Sequence, residues 1–296
     1  MLLLKIVYEG DSIVVDELQE LKSYYKDKNI VLGICESIDE NTHFIKILCD
    51  DNIYSDKLKS AIQLRVSSIL YKIVVNIFKN KELYEILTDS YFFLRSDEIP
   101  ELSDKIIKGL NGDESIKDET SIYCLNRRNN IVEKIKVCIE ENDEINIDGF
   151  VTFRMKELLS DFQSIVDKIV ETYLVEKEYN EFVKLLKYFV EVQESKIEEL
   201  NIIIDSSGSY RLENKEGKDI MDEFVNELLD CKMGSTINVE DIIISGLITN
   251  SPEKIIIHGA ENSSNKELIE TIKNVFQDRV IICSGCSRCI KSKIKM

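Results

Sequence analysis

The sequence predicts a mixed fold, α+β or α/β, built from a small N-terminal βαββ unit, a helical middle and a C-terminal α/β unit. Three observations lead there. Short apolar runs of strand length cluster near both ends of the chain. The middle instead repeats apolar residues every three or four positions, the period of one helix face. Only two prolines and eleven glycines punctuate 296 residues, so long helices meet few breakers. A prior of about 150 residues per domain gives two domains. The shifts in pattern divide the chain further, into 1–110, 111–200 and 201–296.

Residues 2–8 form a short apolar strand, and 11–28 carry Val14, Val15, Leu18 and Leu21 at helical spacing. Two apolar runs, 30–37 and 43–49, flank Asp39-Glu-Asn-Thr42, which reads as a hairpin turn. From 56 to 87, Leu58, Ile62, Val66, Ile69, Ile73 and Ile77 make one stripe on a long helix. Pro100 suits the first turn of a helix reaching Gly109. Residues 111–119 are polar and form a loop, and 121–141 a helix. Asp143 and Asp148 then precede a pair of helices, 150–175 and 178–200. In the last third, 201–205 and 209–213 flank Ser206-Ser-Gly208 as a hairpin. Residues 219–230 make an amphipathic helix, and 241–249 fit either strand or helix. Strand 254–258, helix 265–276 and strand 279–283 complete an α/β unit.

Composition narrows the partners. The net charge of −17 sets up a field that repels phosphate backbones and anionic lipid surfaces. Arg127, Arg128, Arg154, Lys156 and the tail lysines Lys291, Lys293 and Lys295 are the only basic clusters, and pairing with nearby glutamates explains them more simply than nucleic acid does. The opening Met1-Leu-Leu-Leu-Lys5 is short for a signal segment, and the longest apolar run, 69–78, contains Lys72 and Asn76. No membrane span and a cytoplasmic location are therefore expected, and reduced thiols with them.

One local pattern points to chemistry. Cys283-Ser-Gly-Cys286-Ser-Arg-Cys289 places three thiols around a glycine just after a predicted strand. Cys-x-Gly-Cys resembles a zinc knuckle, in which glycine permits the tight turn that aims two thiolates at one ion. A structural zinc takes four ligands, and the fourth would come from Cys231, His258 or a second subunit. The same spacing allows three ligands of an iron–sulfur cluster, a redox-active thiol pair, or reduced thiols that bind nothing. The metal, if any, is unknown, with zinc the first choice. His43 reads as structural. No Gly-x-Gly-x-x-Gly, Gly-Lys-Ser/Thr or Gly-x-Ser-x-Gly run occurs, so nucleotide cradles and serine hydrolases lack support. Asp205-Ser-Ser-Gly208 is a plain turn before it is a phosphate loop. Phe150, Phe153 and Leu158 share one helix face; Tyr179, Phe182, Leu185, Leu186 and Phe189 share another. Helix–helix core is the expected use of both stripes, and a groove for a peptide helix the alternative.

The chain also resembles a known family. Asp148-Gly-Phe-Val-Thr-Phe-Arg154, Val175-Glu-Lys-Glu-Tyr179 and Leu185-Leu-Lys-Tyr-Phe189 are similar to the YtxC-like family of sporulation proteins from endospore-forming Firmicutes. So are Ile244-Ser-Gly-Leu-Ile-Thr249, Pro252, Ile255-Ile-Ile-His258 and Phe276-Gln-Asp-Arg-Val280 running into Cys283-Ser-Gly-Cys286. The likeness covers about the last two-thirds of the chain closely. It implies a cytosolic protein linked to sporulation, and it brings no catalytic residues. The expected function is thus a non-enzymatic interaction protein with protein partners. The alternative is a metal-binding or thiol-redox protein built on Cys283, Cys286 and Cys289.

Overall fold

The computed structural model describes residues 1–9, 14–112, 118–141, 144–229 and 238–289. The chain divides into two units, Met1–Leu174 and Val175–Met296.

The first unit opens with β1 (Leu2–Glu9), α1 (Val14–Lys26), β2 (Leu32–Asp39) and β3 (Thr42–Cys49). The predicted βαββ order is there, and the hairpin turns at Glu40, whose φ is +53°. A further strand, β4 (Glu144–Asn146), pairs parallel to β1 and completes a sheet of order β2-β3-β1-β4. Three residues are too few to show a period of two, so pattern reading passes over β4.

The helices that follow are α2 (Asp56–Lys81), α3 (Leu83–Asp89), α4 (Glu98–Asn111), α5 (Glu119–Glu140) and α6 (Ile147–Val192). The Ser55 hydroxyl accepts from the Leu58 amide at the start of α2, and the Asp118 carboxylate accepts from the Ser121 amide at the start of α5. Both satisfy donors that a helix start leaves over. Two expectations are corrected. The helix predicted over 56–87 breaks at Glu82 into α2 and α3. The pair predicted over 150–175 and 178–200 is instead one helix, α6, ending at Val192. No glycine or proline lies between Phe150 and Val192, and Glu176 and Lys177, the predicted gap, are good helix formers.

The core of this unit joins Ile62, Val66 and Leu70 of α2 to Ile131 and Ile135 of α5 and to Phe162 and Ile165 of α6. Phe78 stacks on Phe162 with ring centroids 4.9 Å apart. α2 is long and apolar enough to cross a membrane by length and composition. Its apolar stripe nevertheless packs into this core.

The second unit holds the end of α6, then β5 (Glu199–Ile204), β6 (Tyr210–Asn214), α7 (Met221–Leu229), α8 (Val239–Asn250), β7 (Lys254–His258), α9 (Lys266–Phe276) and β8 (Val280–Ile282). The ambiguous segment 241–249 is helical, and Ile242, Ile243, Gly246, Leu247 and Asn250 form its buried face. The sheet order is β6-β5-β7-β8, with β5, β7 and β8 parallel. Residues alternate between its two faces. Leu200, Ile202, Ile204, Leu212, Ile255 and Ile257 share an apolar cluster with side chains from α6 to α9. Asn201, Ile203, Ile256 and His258 stand outside that cluster, on the opposite face.

Candidate metal centre

Strand pairing starts the site. β8 runs parallel to β7 with Ile282 beside Ile257, and the Cys283 amide donates to the Ile257 carbonyl at 2.9 Å. That bond continues the ladder by one residue and sets Cys283 next to His258, on the same face. The chain then turns through Ser284 and Gly285. Gly285 has φ +139°, a conformation that only glycine adopts readily. A helical turn over 287–289 follows and brings Cys289 back beside Cys286.

Four donors meet there: the Sγ atoms of Cys283, Cys286 and Cys289 and Nδ1 of His258, all within 4.8 Å of one another. Cys286 and Cys289 are 3.8 Å apart, and Cys289 and Cys283 3.7 Å. His258 Nδ1 stands 3.4 Å from Cys286 Sγ and 3.5 Å from Cys289 Sγ. Tetrahedral zinc with Zn–S near 2.3 Å and Zn–N near 2.05 Å spaces its sulfurs about 3.8 Å apart and sulfur from nitrogen about 3.6 Å. Four of the six donor pairs therefore have the edge lengths of such a tetrahedron, and all six lie within 4.8 Å. A cluster that binds each thiolate to a different iron needs them farther apart.

The surroundings suit ligands. His258 is 3% exposed and Cys289 8%, while Cys283 and Cys286 are half-buried. Burial, with help from the Arg288 charge, lowers the His258 pKa and so favours the neutral imidazole that a metal needs. The Cys289 amide, then that of Arg288, holds the Cys286 thiol below its ordinary pKa. At Cys283 the Gly285 amide pulls downward, but burial and the adjacent thiols outweigh it and raise the pKa. Behind the imidazole, Nε2 lies 3.0 Å from Asn201 Oδ1. Asn201 Nδ2 donates to Glu199 Oε1 at 3.3 Å and to the Asn214 carbonyl at 3.5 Å. Lys254, 2.9 Å from Glu199, keeps that carboxyl below the usual range and so ionised. Arg288 reaches Glu213 of β6 at 3.5 Å, tying the turn to the sheet.

Of the fourth-ligand candidates read from the sequence, His258 is the one brought to the three sulfurs. Cys231 lies outside the described residues, as do Lys291, Lys293 and Lys295. Other singled-out residues engage locally. His43 stacks on Tyr8 and meets Glu36 at 2.7 Å. Arg127 and Lys134 both face the buried Asp161. Arg128 donates to the Asn111 carbonyl, and Arg154 pairs with Glu157. The Asp205 carboxylate accepts from the Ser207 and Ser209 amides, closing an ordinary turn. The expectation that both aromatic stripes are core needs correction. Phe150 and Leu158 are buried, but Phe153 is 78% exposed. In the second unit the inward face of α6 is Val183, Leu186 and Val190, which leaves Phe182, Leu185, Phe189 and Val192 at the surface.

Asn201 escaped notice in the sequence. Its signal was faint: Asn201-Ile-Ile-Ile-Asp205 and Lys254-Ile-Ile-Ile-His258 are both triple isoleucines between polar ends. Their parallel pairing sets Asn201 beside Ile256, two residues before His258 and on the same face.

The model of the YtxC-like family matches residues 64–281. The chain belongs to the YtxC-like family. It is similar to a protein of Bacillus subtilis (strain 168) named "Uncharacterized protein YtxC", at 25% identity over 231 residues, 74% of this chain and 76% of the relative. No solved structure matches the chain. The YtxC-like match takes in Asn201 and His258 and stops two residues before Cys283.

Proposed function

We propose that this YtxC-like protein binds one zinc ion through Cys283, Cys286, Cys289 and His258, and that the ion is structural. The observation that carries this reading is the spacing of the four donors, 3.4–3.8 Å along the four measured edges. Four protein ligands fill a tetrahedral shell and leave no position for a substrate or an activated water. The ion would clamp residues 283–289 over His258, on the sheet face opposite the helices. Zinc and iron assay of protein purified anaerobically in reducing buffer tests it. About one zinc per chain, lost in Cys286→Ser, is the expected result. Substoichiometric zinc and iron would end this reading. Visible absorption with acid-labile sulfide would replace it with a cluster.

For the wider role we propose what the resemblance of the sequence implies. The protein acts in the cytoplasm of sporulating cells, by contact with other proteins and without catalysis. The exposed Phe182, Leu185, Phe189 and Val192 on α6 support such contacts, because large apolar side chains grouped on one helix face mark interaction surfaces. Spore counts test it. Cells lacking the protein, and cells carrying Phe182→Ser with Phe189→Ser, should sporulate poorly. Full sporulation in both would remove this role.

A further inference from the structure

We infer that Asn201 is the positioning residue of the centre: it fixes which nitrogen of His258 faces the thiols. The inference rests on the zinc reading above and names a part of the site that lies outside the ligand set.

The chemistry is one of donors and acceptors. An amide side chain offers one oxygen that accepts and one NH2 that donates. Which end points where follows from its partners. On one side Asn201 meets the Glu199 carboxylate and the Asn214 carbonyl, which only accept. The NH2 group must lie there. Oδ1 therefore faces Nε2 of His258 at 3.0 Å, and an oxygen that accepts requires that Nε2 carry the proton. A neutral imidazole with its proton on Nε2 has its lone pair on Nδ1. Nδ1 is the atom that stands 3.4 and 3.5 Å from the sulfurs of Cys286 and Cys289.

Asn201 is fully buried, in the interior strand β5, with partners on β6 and β7. Flipping its amide would set Oδ1 against the Glu199 carboxylate and the Asn214 carbonyl, acceptor facing acceptor in a buried position. The ring is thus held in register before any ion arrives. This is the role that second-shell partners of metal-bound histidines play, and losing one costs about 10–100-fold in metal affinity.

The test uses the full chain with zinc alone. Competition against a chelator of known affinity should give Asn201→Ala a zinc affinity about 10–100-fold below wild type. Asn201→Asp keeps an acceptor opposite Nε2 but loses the donor to Glu199 and Asn214, and should recover part of that loss. The second readout is spectroscopic, and a merely structural role would not move it. The chain has only two histidines, so a long-range nitrogen–proton spectrum of the zinc-loaded protein resolves both. His258 should show a proton on Nε2 and metal on Nδ1, and Asn201→Ala should weaken that preference. Unchanged affinity in Asn201→Ala, or zinc on Nε2, overturns the inference and leaves the zinc reading standing. A wild-type chain that takes up no zinc removes both.

Discussion

The two faces of the β5–β8 sheet are held by different physics. One buries Leu200, Ile202, Ile204, Leu212, Ile255 and Ile257 under helices. Contacts of that kind are non-directional, worth about 25 cal/mol per Å² of apolar surface, and tolerant of small errors. The other face carries Asn201, Glu199, Lys254 and His258 and is covered at His258 by a seven-residue turn. Such a turn has little apolar surface to bury. Its hold is directional, through a hydrogen-bonded network and four donors aimed at one point. A face of the first kind follows from helix and strand patterning. A face of the second kind depends on single residues, and the loss of any one leaves buried polar groups unmatched.

The largest effect should fall on the apolar face. Phe224→Ala opens a cavity between α7 and α8, where the ring lies over Gly246, and should cost about 3–5 kcal/mol, equally with and without chelator, by denaturant unfolding. An effect that depended on chelator would merge the two faces into one.

Next is the metal-dependent face. Chelation of the wild-type chain, or Cys286→Ser, should speed proteolysis within 283–289 while the apolar core stays protected from hydrogen exchange. Global unfolding on chelation would show that the helix-covered face does not stand alone.

Gly285→Ala should come third. An alanine at φ +139° is strained by about 1–3 kcal/mol, so zinc affinity should fall up to about 100-fold with no change in the apo protein. Unchanged affinity would mean the turn tolerates a side chain. Smallest is Glu213→Gln, which loosens the partly exposed Arg288 contact and should shift stability by about 1 kcal/mol or less.

The same contrast explains what could be read in advance. Apolar runs of strand length and apolar spacings of three or four exposed the βαββ start, the α2 stripe and the C-terminal α/β order. The knuckle was legible because three cysteines and a glycine within seven residues form a local signal. The pairing of His258 with those thiols was only one option among three, because it depends on β7 and β8 being neighbours, which no local spacing encodes. β4 was too short to show. The outward aromatic face of α6 misled because amphipathic spacing marks a stripe without saying which stripe the core takes.

The central claim is that three sulfurs and one imidazole nitrogen surround a single zinc. Zinc-edge X-ray absorption on the anaerobically purified chain reads that shell directly. The prediction is three sulfur neighbours near 2.3 Å and one nitrogen near 2.0–2.1 Å, with the nitrogen replaced by another scatterer in His258→Ala. A shell of oxygen and nitrogen alone, or one unchanged in His258→Ala, would contradict it.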